Sequence, residues 1–462
     1  MQVLDRHRGG ASQVLDCLVR FPANASFFWS IVRLHTLLSR EVPARWSVVP
    51  LCFPHSSGLK MERLVTVLLL SVLLLSSAGE SARVSYIRLP NSPADGLCAH
   101  LIQPYGYPCS EHTAQTNDGY LLGLQRVASN SRYLRGQYGP PVLLLHGLMM
   151  AGDAWFLNSP NQSLGFIFIL ADHGFDVWAG NVRGTHWSRR HVHLTEKDKD
   201  FWDWSWQELA LYDLEGMARY IYNITNSKIF IVGHSQGTIM SLAAFTQPHI
   251  VSMVEAAALL SPISYLDHIS SSFVLRLVKM HIDEVLCVMG IHELNFKSDC
   301  STHMMDILCS EYVNCNELLT PVTGKNCCFN NSRINFYLEY EPQPTSSKNL
   351  NHLFQMIREG TFRKYDYGIF KNLIRYGRFW PPAFDVSSIP NSLPLWMAYG
   401  GNDSLADVTD VQRTLKELKR QPEVLFLEEY GHIDFLLSVR SKEDVYDKMI
   451  RFLKSFRKFG SY

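Results

Sequence analysis

The sequence predicts an α/β protein whose mostly parallel central sheet, covered by helices on both faces, is interrupted once by a long inserted cap. Three observations carry that expectation. Short strand-like runs alternate with helical stretches, the rhythm of parallel strands joined by helical crossovers. The segment Gly233-His234-Ser235-Gln236-Gly237 lies between a β-branched run, 229–232, and a helical run, 238–245. The alternation then stops for residues 262–394 and resumes afterwards, a gap far longer than an ordinary connection between elements.

In chain order, Met61-Glu62-Arg63, the apolar run 64–75 and Ser76-Ser77-Ala78-Gly79 read as a secretory signal peptide. The run is shorter than the roughly 20 residues of a membrane-spanning helix, so no transmembrane anchor is expected. A signal peptide normally starts at the initiating methionine. Residues 1–60 are therefore read as an upstream extension, with a genuine N-terminal arm as the competing reading. The expected division is 1–60 extension, 61–78 signal peptide, 79–261 first part of the core, 262–394 cap, and 395–462 second part of the core.

Within the core, 112–116 and 120–127 form a hairpin around Asn117-Asp118-Gly119. Residues 142–145 and 175–179 are short strands, and 202–222 has helical spacing through Trp206, Leu209, Ala210, Asp213, Met217 and Tyr220. Residues 256–260 are the strand after the Ser235 turn and its helix. The cap shows helical stretches at 273–280 and 350–357. Beyond it come a strand at 395–399, a helix at 410–419, a last strand at 424–427 and a closing helix at 445–457.

A chain of 462 residues with 47% hydrophobic content can bury a large core. Lys plus Arg and Asp plus Glu both number 43, so net charge points to neither nucleic acid nor an anionic surface. No zinc-type Cys/His spacing, phosphate-binding glycine loop or internal repeat is present, and neither metal nor cofactor is expected. Eight of the ten cysteines follow the signal-like stretch, six of them (Cys287, Cys300, Cys309, Cys315, Cys327 and Cys328) in one window. That density predicts cross-linking in an oxidising compartment, with the pairing left open among 105 possibilities. Sequons at Asn161, Asn223 and Asn330 are candidate glycan sites, and Asn402 overlaps a candidate functional aspartate. Together these features predict a secreted or a lysosomal or vacuolar protein.

G-x-S-x-G after a strand and before a helix is the pattern of a nucleophile elbow. The glycines Gly233 and Gly237 are needed because strand and helix pack closely around the serine. The bland alternative is a serine that merely caps the helix. If Ser235 is a nucleophile, an acid should follow a later strand and a histidine the last one. Gly400-Gly401-Asn402-Asp403 follows 395–399, and Glu428-Glu429-Tyr430-Gly431-His432 follows 424–427. Asp403 and His432 are thus the expected partners, at the strand ends where open α/β sheets place their sites. Asp407 is a rival acid but suits the N-cap of the next helix, while Asp434 is too close in sequence to brace the His432 ring. His234 flanks the elbow and is expected to point away from Oγ. The oxyanion hole is assigned to the N–H groups of Gln236 and of Leu148, in the His146-Gly147-Leu148 loop.

With these residues in view, the chain resembles the acid lipase family of the α/β-hydrolase fold, which includes gastric and lysosomal acid lipases and plant triacylglycerol-lipase-like proteins. The matching residues are Gly106-Tyr107-Pro108, Asp118-Gly119-Tyr120, His146-Gly147-Leu148, Asn181-Val182-Arg183-Gly184, Trp187-Ser188-Arg189-Arg190, Gly233–Thr238, Gly400–Asp403 and His432-Ile433-Asp434-Phe435. The quoted residues run from Gly106 to Phe435, and the resemblance extends from about residue 84 to the C-terminus. The resemblance implies a hydrolase of triacylglycerols or sterol esters, met at an oil–water or lipid surface, with a lid over an apolar acyl groove. Met149-Met150 and the extra cap cysteines depart from the family pattern. Phe379, Trp380 and the run 273–278 either cover the acyl chain or form cap core. A short-chain carboxylesterase or acyltransferase with the same triad, and a silent lipid-binding protein, are the alternatives.

Overall fold

Strands buried on both faces need apolar residues at every position, whereas strands exposed on one side alternate. The strand Ile229–His234 is buried throughout, and the computed structural model places it at the centre of the sheet. The structure describes residues 96–129, 138–158, 165–296, 315–329 and 333–456. The expectations for 1–60, 61–78, Asn161, Asn330, Cys300 and Cys309 lie outside the described residues.

The strands are β1 (Cys109–Gln115), β2 (Tyr120–Val127), β3 (Pro141–Leu145), β4 (Asp176–Gly180), β5 (Arg190–His191), β6 (Ile229–His234), β7 (Val254–Leu260), β8 (Glu293–Leu294), β9 (Thr345–Ser346), β10 (Leu395–Gly400) and β11 (Glu423–Leu427). The large sheet runs β1-β2-β4-β3-β6-β7-β10-β11, with β5 paired to β2. β4 through β11 along that order are parallel, and β1, β2 and β5 join antiparallel.

Side chains alternate across each strand and feed two separate cores. Ile229 and Ile231 of β6 join Leu143, Leu145, Ala257 and Leu259 on one face. Phe230 and Val232 join Val142, Leu144, Ala256 and Ala258 on the other. Helix α1 (Phe166–Asp172) packs on the second core. Helices α2 (Leu214–Thr225) and α3 (Gln236–Ala244) cover the first. The α1 segment, Phe-Ile-Phe-Ile-Leu-Ala-Asp, is apolar on every side and carries no period, so sequence alone did not assign it.

Residues 262–394 add no strand to the large sheet among the described residues. They supply α4 (Ser272–Lys279), α5 (Ile282–Val288), α6 (Cys315–Thr323), α7 (Ile334–Tyr340), α8 (Ser347–Glu359), α9 (Ile369–Tyr376) and the small ribbon β8–β9. Helix α10 (Val408–Glu417) follows β10, and α11 (Asp434–Leu437) and α12 (Asp447–Lys454) close the fold.

Several expectations need correction. The stretch 202–222 is not one helix: Ser205 and Glu208 form a capping box that starts the helix at Trp206, and a wider π turn at Leu209–Asp213 precedes α2. Phe379 and Trp380 are neither acyl cover nor cap core, being 56% and 63% exposed. In the run 273–278, Phe273, Val274 and Leu277 line a cavity, while Val278 packs among cap helices. Cys287 keeps a free, exposed thiol, so the cysteine-rich window is not wholly cross-linked. Disulfides join Cys98 to Cys109 and Cys327 to Cys328.

Candidate active site

β6 ends at a turn in which Ser235 adopts φ +53° and ψ −116°. A non-glycine residue there carries about 1–3 kcal/mol of backbone strain, which the surroundings must offset. The Ser235 N–H donates to the Leu260 carbonyl at 3.0 Å, and the Ser235 carbonyl accepts the Thr238 N–H at 2.8 Å. A side-chain carbon on Gly233 would stand 2.7 Å from the Gly237 carbonyl oxygen, and one on Gly237 would stand 2.3 Å from the Leu145 oxygen. Only glycine fits at either place.

Ser235, His432 and Asp403 are buried and lie in one hydrogen-bonded line. His432 Nε2 is 2.7 Å from Ser235 Oγ, and Nδ1 is 2.9 Å from both carboxylate oxygens of Asp403. A carboxylate only accepts, so Nδ1 carries the proton and Nε2 is free to accept the serine hydroxyl. Asp403 Oδ1 also accepts the N–H groups of Leu405 and Ala406 at 2.9 and 2.8 Å, which fixes its plane.

The rival groups do other work. Asp407 caps α10 by accepting the Thr409 N–H at 2.7 Å. Asp434 accepts the N–H groups of Gly431 at 2.7 Å and Cys327 at 2.9 Å, tying the His432 loop to the cap. His234 is fully buried, and its Nε2 lies 3.0 Å from the His432 carbonyl. Burial pushes His234 down to about 3, so it stays neutral beneath the His432 backbone.

Leu148 and Gln236 both line the cavity beside Ser235. Gln236 is the first residue of α3, where helix N–H groups have no intrahelical partner. The loop before Leu148 passes directly against the serine: a side-chain carbon on Gly147 would be 3.3 Å from Ser235 Cβ. His146 holds that loop, with Nδ1 2.9 Å from the Gly147 carbonyl and Nε2 accepting the Val182 N–H at 3.2 Å. Burial pushes His146 down to about 4, which keeps Nε2 an acceptor. Next to Val182, the buried Arg183 guanidinium forms ion pairs with Asp118 and Asp213, both at 2.6 Å. Burial opposes its charge, but the two carboxylates outweigh burial and keep it protonated.

Sequence reasoning missed the cap residues that brace these loops. The Thr323 carbonyl, at the end of α6, accepts the His432 N–H at 3.0 Å and the Ser404 N–H at 3.4 Å. Asn349 of α8 donates to the Gln236 side-chain oxygen at 2.7 Å. The Gln343 N–H donates to the Met149 carbonyl at 2.7 Å, with Met149 at φ +57°. The Met149-Met150 departure therefore sits where the cap grips the Leu148 loop. No local pattern marks such contacts, since each joins residues far apart in the chain.

Above Ser235 lies a cavity of about 410 Å³, walled by Ile239 of α3 and by Ile263, Leu266, Phe273, Leu277, Leu353 and Phe354 of the 262–394 segment. Its polar groups gather at the Ser235–His432 end, the layout of a site that positions one reactive group on an apolar ligand. Among the described residues, Asp267, His268 and Asp410 form a cluster of metal-ligand type. It lies outside the cavity wall, and the His268–Asp410 ion pair at 2.7 Å accounts for it. Of the candidate glycan sites Asn161, Asn223 and Asn330, Asn223 lies among the described residues and is exposed on α2.

A family model described as a partial α/β-hydrolase lipase region matches residues 98–159, and one described as the α/β-hydrolase fold matches residues 140–286. Triacylglycerol lipase 1 of Arabidopsis thaliana is 58% identical over 402 residues, covering 87% of this chain and 100% of that protein. Triacylglycerol lipase 2 of Arabidopsis thaliana is 41% identical, covering 84% and 96%. The gastric triacylglycerol lipase of Homo sapiens is 32% identical, covering 80% and 94%.

Proposed function

The chain belongs to the acid lipase family of α/β-hydrolases and is a carboxylic ester hydrolase; from that premise we propose that Ser235, His432 and Asp403 hydrolyse neutral lipid esters, triacylglycerols foremost and sterol esters also, through an acyl-enzyme. The observation that carries this reading is the hydrogen-bonded line from Asp403 through His432 to Ser235 at the polar end of an apolar cavity.

In this mechanism His432 Nε2 takes the Ser235 proton as Oγ attacks the ester carbonyl, and Asp403 orients the ring and stabilises the imidazolium. The N–H groups of Leu148 and Gln236 bind the oxyanion of the tetrahedral intermediate, each worth about 3 kcal/mol in the transition state. The alcohol leaves with the proton from His432. Water, activated by the same histidine, then attacks the acyl-enzyme and frees the fatty acid. The acyl chain lies against Phe273, Leu277, Leu353 and Phe354. Apart from Glu341, Thr323 and the residues around Ser235 and His432, the cavity lining is apolar, which favours a long uncharged chain.

We place the enzyme in the secretory pathway. The Cys98–Cys109 disulfide supports an oxidising compartment, and among the described residues no helix is long and apolar enough to cross a membrane. The test compares hydrolysis of an emulsified long-chain triacylglycerol with that of a dissolved butyrate ester. Faster turnover of the emulsion is expected; activity on the dissolved ester alone would retain the chemistry and overturn the substrate.

A further inference from the structure

Helix α9 turns its apolar side outward. Phe370 and Ile374, one helical turn apart, are 84% and 83% exposed, and Ile369 and Leu373 beside them are also exposed. The inward side is carried by Asn372, which is fully buried and donates to the Phe379 carbonyl at 2.9 Å. That bond ties the backbone of the Phe379-Trp380 turn to the helix, and both aromatics of the turn are exposed beside it. None of these residues lines the cavity above Ser235. Isolated exposed hydrophobics are ordinary, but six on one helix and its following turn mark a contact surface.

The charges around this face have one sign. Lys371, Arg375 and Arg378 are exposed among the apolar residues, and no Asp or Glu occurs from Gly368 to Phe384. Asp366, the nearest acid before the helix, is engaged by the Gly368 N–H at 2.7 Å and by Asn372 at 2.8 Å. Beside Trp380, a shallow recess is lined by Arg363, Arg378 and Pro381. Exposed aromatic and aliphatic side chains interleaved with cations are the composition of a helix that lies in a lipid headgroup layer.

We propose that α9 and the Phe379-Trp380 turn form a docking face for an anionic phospholipid surface, with Phe370, Ile374 and Trp380 inserted and Lys371 and Arg378 meeting the phosphates. The inference rests on the reading of the protein as an enzyme of lipid surfaces, and it assigns a surface that holds the enzyme there, apart from the cavity that holds the ester. It also places a cationic patch on a chain whose overall charge is balanced.

The test is flotation of the full protein with vesicles of phosphatidylcholine alone and of phosphatidylcholine mixed with phosphatidylglycerol, with hydrolysis of a dissolved butyrate ester measured in parallel. The native protein should prefer the mixed vesicles, and the preference should shrink in high salt. Phe370→Ser with Ile374→Ser should weaken binding at least about tenfold, and Lys371→Gln with Arg378→Gln should weaken binding to the mixed vesicles about fivefold per charge removed. All variants should cleave the dissolved ester at the native rate. Unchanged vesicle binding by the Phe370/Ile374 variant would overturn the proposal. So would a native dimer that the same variant splits, since the face would then belong to a second copy. Vesicle binding without any ester hydrolysis would remove the esterase reading and support the docking face on its own.

Discussion

Asn349, buried in a cap helix, donates a 2.7 Å hydrogen bond to the side chain of Gln236, the residue that follows Ser235. The cap thus reaches the first turn after the elbow and holds the residue whose N–H is assigned to the oxyanion. Asn349→Leu strands the Gln236 oxygen in a buried place, at about 1–3 kcal/mol of stability. If the Gln236 N–H acts in the transition state, kcat on a dissolved ester should fall more than KM rises. Lost stability with an unchanged kcat would restrict Asn349 to the fold.

The elbow glycines allow a sharper test of packing. Gly237→Ala places a carbon 2.3 Å from the Leu145 carbonyl, backbone that cannot swing aside. The loss should exceed about 3 kcal/mol, at the upper end of single substitutions, and soluble expression should fall with it. A well-folded, active Gly237→Ala protein would contradict the geometry.

Two aspartates on one loop are predicted to separate cleanly. Asp403→Asn should lower kcat by about 10⁴ while the protein stays folded, because the His432 ring loses its orienting carboxylate. Asp407→Ala should cost about 1 kcal/mol of stability as a lost N-cap and leave kcat in place. Steady-state kinetics with urea unfolding of both variants decides between them.

Acid should destabilise the protein through its buried histidines. His352 is stacked on Trp206 at 4.3 Å, and burial pushes it down to about 3, against about 6.5 in an unfolded chain. Between those values the unfolded chain binds the extra proton. The stabilisation from neutral His352 is therefore complete above about pH 6.5 and is lost as pH falls toward 3. Urea unfolding across that range should show a shallower pH slope in His352→Gln, by up to about 1.4 kcal/mol per pH unit. An identical slope in the variant would count against the neutral histidine.

What was legible in the sequence follows the range of the physics involved. The elbow is local: a strand, a strained serine and two glycines that close approach requires all fall within residues 229–245. Asp403 and His432 stand out because each follows a strand run at its C-terminal end. The contacts from Thr323, Gln343 and Asn349 join distant parts of the chain, and nothing in their neighbours marks them. Phe379 and Trp380 show a different limit, since aromatic identity does not say which way a side chain faces. The balanced total charge likewise hid the cations gathered around α9. The periodicity of 202–222 suggests a helix longer than the one formed, although Ser205 and Glu208, three residues apart, carry the capping signal that starts it at Trp206.

Ser235 is proposed as the nucleophile of a Ser-His-Asp esterase. The most direct test is treatment of the folded protein with a long-chain alkyl phosphonate, followed by mass spectrometry of its peptides and assay of triacylglycerol hydrolysis. One stoichiometric adduct on Ser235 is expected, with hydrolysis lost in step with labelling and neither adduct nor activity in Ser235→Ala. An adduct on another residue, or hydrolysis that survives in Ser235→Ala, would contradict it.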